Sequence, residues 1–79
     1  MKIKVQYFAS LRDTTHIAEE DIETNAQTIN DLYVEINQRY QFSLDRDYLK
    51  ISINGQYVDK NNFLTDNDTV MFIPPLSGG

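Results

Sequence analysis

The stretch Pro74-Pro75-Leu76-Ser77-Gly78-Gly79 carries the most unusual chemical group in this sequence, the carboxylate of Gly79. Two prolines fix φ and remove two backbone donors, so a strand that reaches Pro74 has to stop there. Their polyproline preference projects the last residues away from the body. Fully extended, Pro74 to Gly79 reaches about 20 Å. Gly78 and Gly79 have no side chains and can pass a narrow channel, which would bring the carboxylate to a reaction centre on a partner. That geometry suits acyl chemistry at Gly79, once the carboxylate is activated.

The other candidates read as ordinary structure. His16 is the only histidine, and no ligands converge on it at metal-site spacing. Glu19-Glu20-Asp21 lacks the spacing and glycine turn of a calcium loop, and reads as the solvated edge of a sheet. Asp66-Asn67-Asp68 is half a calcium loop at most, and Asx residues in such runs stabilise turns through their own backbone. Three glycines cannot build a phosphate loop, and no cysteine is present. No metal site, no bound cofactor and no internal catalytic set is expected.

Composition narrows the partners. Seventy-nine residues make one small domain, 1–79, with residues 74–79 as an extended tail. Such a chain buries only about 60% of its unfolded surface, which leaves no room for a deep cleft. The net charge of −5 repels phosphate backbones, so no nucleic acid is expected, and a protein partner is. No run approaches the ~20 apolar residues of a membrane span, and Met1–Phe8 alternates where a leader would need an apolar run. The absence of cysteine fits a reducing cytoplasm.

The elements that would hold the tail are set by periodicity. Residues 2–8 alternate as a strand, with Ile3, Val5 and Tyr7 on one face and Phe8 on the other. Residues 9–16 read as a connection with room for a short helical turn, and 17–23 as a weak acidic edge strand. Residues 28–40 form the one main helix, with Ile29, Leu32, Tyr33, Ile36 and Tyr40 on its apolar stripe, Thr28 as N-cap, Asp31 near the positive end of the dipole and Arg39 in the last turn. A polar loop over 41–48 is anchored by Phe42 and Leu44. Residues 49–53 alternate again, Asn54-Gly55 is a strong hairpin signal, and 56–58 return. Residues 69–73 form the last strand, with Val70 and Phe72 on one face and Met71 and Ile73 on the other.

Strand, strand, helix, strand, short strand, strand is an α+β roll with a mixed sheet. Its first and last strands should pair in parallel at the centre, the order of a β-grasp, ubiquitin-like domain. With Val5, Tyr7, Val70 and Phe72 under the helix, Phe8, Met71 and Ile73 meet on the open face, where Tyr57 joins them. A contiguous apolar patch of this kind marks a partner surface.

These residues resemble the small subunits of molybdopterin synthase, ubiquitin-like sulfur carriers, nearly from end to end. The resemblance runs through VQYFASLR (5–12), TINDL (28–32), INGQYV (53–58) and FLTDNDTVMFIPPLSGG (63–79). That family has Leu-x-Asp-Gly-Asp-x-Val before its Pro-Pro and Gly-Gly; Asn67 stands here where Gly is usual, and Asn also tolerates positive φ. The resemblance implies that an adenylating enzyme uses ATP to activate Gly79, which then becomes a thiocarboxylate, with Gly78 as spacer. It implies a large synthase subunit that takes the tail and converts cyclic pyranopterin monophosphate to the dithiolene of molybdopterin, in a heterotetramer, so this chain is no enzyme alone. Phe8, Tyr57 and Ile73 match the family's docking positions, Met71 shares their face, and Arg12 matches a position near the partner. A thiamin thiazole sulfur carrier, a lysine-conjugated ubiquitin-like modifier and a plain interaction module with an inert tail remain as alternatives.

Overall fold

In the computed structural model, residues 1–42 and 48–75 are described. Leu44, Leu76, Ser77, Gly78 and Gly79 lie outside the described residues. Five strands and two helices run in the order β1 (Lys2–Tyr7), α1 (Ala9–Thr15), β2 (Glu19–Glu23), α2 (Ile29–Tyr40), β3 (Lys50–Ile53), β4 (Gln56–Val58) and β5 (Thr69–Ile73). The sheet order is β2-β1-β5-β3-β4. β1 and β5 pair in parallel at its centre, with Val5 beside Val70 and Tyr7 beside Phe72; the other pairings are antiparallel. This is the β-grasp fold.

The core lies between one face of the sheet and α2. Ile3, Val5, Tyr7, Val70 and Phe72 are buried beneath Ile29, Leu32, Tyr33 and Ile36, as period-two and period-3.6 spacing require. Thr28 caps α2 by accepting the Asp31 amide at 3.2 Å, and Arg39 sits in its last turn. Phe42 is buried and stacks on Tyr33 with ring centroids 6.0 Å apart. It therefore anchors the chain just beyond α2.

Two local features depart from the sequence reading. Residues 9–15 form a full seven-residue helix rather than a connection, so the roll has a second, short helix. Only Leu11 and Thr15 of α1 are buried, too sparse a stripe for periodicity to reveal. Glu20 is the second departure. Its side chain is only 17% accessible and accepts hydrogen bonds from the hydroxyls of Tyr7 (2.5 Å) and Tyr40 (2.6 Å), with the Arg39 guanidinium at 3.4 Å. Glu19 and Asp21 are exposed as an acidic edge should be, but Glu20 ties β1, β2 and α2 together.

Burial, reinforced by the hydrogen bond to the Glu20 carboxylate, pushes the Tyr7 hydroxyl far above the ordinary tyrosine value of 10.0, and the same two causes raise Tyr40. In the unfolded chain Tyr7 would ionise near its ordinary value, whereas the folded chain keeps that proton. The contribution of Tyr7 to stability is therefore fully present below its ordinary value of 10.0 and is lost as pH rises above it, by at most about 1.4 kcal/mol per pH unit. Urea unfolding across that range should show the fall, and Tyr7→Phe should flatten it. An unchanged slope in Tyr7→Phe would place the alkaline instability elsewhere.

Candidate functional site

The site is built where β5 ends. Two turns set the register of that strand. Asn54 (φ +52°) and Gly55 (φ +89°) close the β3–β4 hairpin, a primed turn that a Cβ strains at both positions. Asn67 occupies the left-handed region at φ +70°, as a residue standing in for glycine must. Asp66 Oδ1 accepts the Lys2 amide at 2.7 Å, and the Asn67 amide donates to the Lys2 carbonyl at 2.7 Å. Asp68 accepts from Asn54 Nδ2 (3.0 Å) and the Thr65 amide (2.8 Å), while Asn54 Oδ1 accepts the Thr69 amide (2.9 Å). The carboxylates of this turn are committed to holding β1, β5 and the hairpin in register. No group of three or more metal-ligating side chains occurs among the described residues. His16 is exposed and closes α1 as its left-handed C-cap.

On the open face, side chains track the ladder. Gln6 lies beside Met71, Met71 opposite Ser52, and Ser52 opposite Tyr57. One step towards the end of β5, Ile73 lies opposite Lys50. Phe8 comes directly after Tyr7, which is beside Phe72, so alternation puts Phe8 on the open face. It is extended there (φ −125°, ψ 152°) as the N-cap of α1, before Ala9 turns the chain at φ +50°. Phe8 is 42% exposed and Tyr57 73%, while Met71 and Ile73 are half-buried.

The open face is consequently graded. Lys4, Gln6 and Thr69 occupy the half towards the Asn67 turn, and the apolar residues gather in the corner where β5 runs into Pro74. Arg12 is exposed on α1 at the same end of the sheet. The sequence reading placed Phe8, Met71, Ile73 and Tyr57 on one face, and the register puts them there.

Pro74 is buried and Pro75 is exposed. The first proline is thus packed against the body, and the second faces solvent. Pro74 and Pro75 line a groove of about 390 Å³ with Ile73, Tyr57, Tyr48 and Lys50. Tyr48 (66% exposed) and Lys50 were not among the residues singled out from the sequence. Alternation does show the signal for Lys50, which leads a strand whose Ile51 and Ile53 point inward; Tyr48 carried none. The arrangement is an apolar corner around Pro74 and Pro75. An apolar surface of this kind is suited to covering by a partner.

No helix among the described residues is long and apolar enough to cross a membrane. The sequence model of the ThiS family matches residues 5–79. The chain is 29% identical over 80 residues to the molybdopterin synthase sulfur carrier subunit of Escherichia coli K12, covering 98% of this chain and 99% of that one. It is 34% identical to a Pyrococcus furiosus structure assigned as subunit 1 of the molybdopterin converting factor, with a TM-score of 0.77 over 95% of this chain and 98% of that one. A chain from the complex of subunits 1 and 2 of the Helicobacter pylori molybdopterin-converting factor superposes with a TM-score of 0.71, at 21% identity and full coverage of both chains.

Proposed function

The chain belongs to the ThiS family, and from that premise we propose that it is the sulfur carrier subunit of a molybdopterin synthase. The observation that carries this reading is the apolar corner of exposed Phe8 and Tyr57 with half-buried Met71 and Ile73, in a chain with a Pro-Pro…Gly-Gly ending. The likeness to the Escherichia coli carrier subunit along 98% of the chain supports it.

The chemistry explains why such a body suits such an ending. A carboxylate is a poor electrophile. Attack of the Gly79 carboxylate on ATP in an adenylating enzyme releases pyrophosphate and leaves an acyl-adenylate. A sulfur nucleophile then displaces AMP, leaving a thiocarboxylate at Gly79. In the large subunit that sulfur passes to the pterin precursor, cyclic pyranopterin monophosphate, and contributes to the molybdopterin dithiolene. The carrier supplies binding energy at a distance from the reacting atom. ATP belongs to the activating enzyme, the pterin to the large subunit, and a heterotetramer of two small and two large subunits is the assembly proposed.

Intact mass after incubation with ATP, a sulfur source and host extract tests the reading. The expected gain is that of one oxygen replaced by sulfur, mapped to Gly79. An unchanged mass in a functional extract would overturn the reading, and attachment to lysines of other proteins would make the chain a modifier instead. Docking has its own test. Phe8→Ala and Ile73→Ala should each weaken binding to the large subunit by about 1–3 kcal/mol while the domain stays folded. Unfolding of Phe8→Ala would mean that Phe8 supports the core rather than the docking face.

A further inference from the structure

Resting on the carrier reading above, we propose that Ala9 is a positioning residue for docking: its left-handed backbone conformation aims Phe8 outward at the large subunit while Leu11 returns to the core. Phe8 is extended (φ −125°, ψ 152°) and Ala9 follows it at φ +50°. The Phe8 carbonyl then accepts the Leu11 amide at 3.1 Å. Residues three apart share one face of a regular helix, yet Phe8 is 42% exposed and Leu11 only 2%. The hinge between them separates their directions. Phe8 and Ile73 each lie one step beyond the Tyr7–Phe72 pair, so this hinge decides whether Phe8 stays with Ile73 on the open face.

Two local rules are broken here at consecutive residues. An L-residue at positive φ brings its Cβ against a backbone carbonyl, a strain that glycine lacks and asparagine tolerates. Five non-glycine residues among those described have positive φ. His16 and Gln41 close α1 and α2 as C-caps, and Asn54 and Asn67 are asparagines in turns. Among the five, Ala9 alone opens a helix, where right-handed φ and ψ are the rule. Phe8 breaks the second rule. An N-cap is normally Ser, Thr, Asp or Asn, as Thr28 is for α2, whereas Phe8 gives α1 no side-chain cap. Both departures weaken the start of α1, and both place an aromatic side chain in the apolar corner. Local strain of this kind gathers at binding sites, where it fixes a group before its partner arrives. Ala9 is itself exposed, so backbone conformation rather than space decides which side chain fits there.

Calorimetric titration of the full chain with the large synthase subunit of its own host, beside thermal melts, tests the proposal. Ala9→Gly and Ala9→Asn accept positive φ and should bind within about twofold of the unsubstituted chain. Ala9→Val is comparable in size to Ala9→Asn but β-branched. It should lose roughly tenfold, because the hinge leaves the left-handed region and Phe8 moves with it. In a Phe8→Ala background, Ala9→Val should add less than about twofold, which a general loss of structure would not do. The full chain synthesised with D-alanine at position 9 keeps every atom and reverses the preferred hand. It should melt higher and bind within about twofold of the unsubstituted chain. That chain decides the question should Ala9→Val fail to fold. Ala9→Val binding like the unsubstituted chain, an equal loss in the Phe8→Ala background, or weaker binding by the D-alanine chain would overturn the proposal while leaving the carrier reading intact. Failure of the unsubstituted chain to bind at all would remove the carrier reading, and this inference with it.

Discussion

Deletion of Gly79 is expected to abolish sulfur loading and to leave the stability of the domain unchanged. The truncated chain still ends in a glycine carboxylate, so the chemical group is retained and only its position changes. Losing one residue draws the carboxylate back by about 3.3 Å. A misplacement of about 1 Å can already cost 10²-fold in a preorganised site, so a loss of at least roughly 10³-fold is expected. The fold should not respond, because β5 ends at Ile73 and Pro74 is the last buried residue described. Thiocarboxylate formation measured by intact mass, beside a thermal melt, separates the two effects. Gly78→Val complements it by keeping the length and adding a branched side chain, and it too should fail to load. Normal loading of the deletion variant would mean that the position of the carboxylate is not what the partner reads. Normal loading of Gly78→Val would remove the argument for a narrow channel.

Val70→Asp is expected to unfold the domain. Val70 has no solvent exposure and sits in the central strand between Val5 of β1 and Ile53 of β3. An aspartate there would be flanked by Val5 and Ile53 in the apolar core, and an unpaired buried charge costs about 3–5 kcal/mol. A domain of this size has little more than the lower part of the usual range of roughly 5–15 kcal/mol to lose. Val70→Ala should remain folded and lose about 1–3 kcal/mol, the cost of a small cavity. Circular dichroism and urea unfolding distinguish the three proteins. A folded Val70→Asp with an unshifted midpoint would require Val70 to face solvent, which would exchange the two faces of the sheet and put Met71 in the core.

Much of this protein is legible without coordinates because its local signals agree. Ile3, Val5 and Tyr7 alternate with polar residues, Val70 and Phe72 do likewise, and both sets are buried. Asn54-Gly55 specifies its hairpin through backbone conformation alone. Thr28 and Asp31 mark the start of α2 through a contact three residues long. Each signal spans only a few neighbours, and a β-grasp order emerges once they are joined.

The rest depends on what the fold brings together. Glu20 looks like one acid in an acidic run. Its partners Tyr7 and Tyr40 lie 13 and 20 residues away in sequence, and nothing near Glu20 points to them. α1 buries too few residues to announce itself. Tyr48 and Lys50 acquire meaning only beside Ile73, Pro74 and Pro75, which pairing of β3 with β5 places across from them. The sequence by itself determined the apolar alternation, the turns and the Pro-Pro…Gly-Gly ending, because bond geometry and side-chain periodicity act between near neighbours. Tertiary packing alone settles that Lys50 faces Ile73, that Pro74 is buried and that Glu20 is held by tyrosines, because those depend on strand register, and register joins residues that the chain itself keeps far apart.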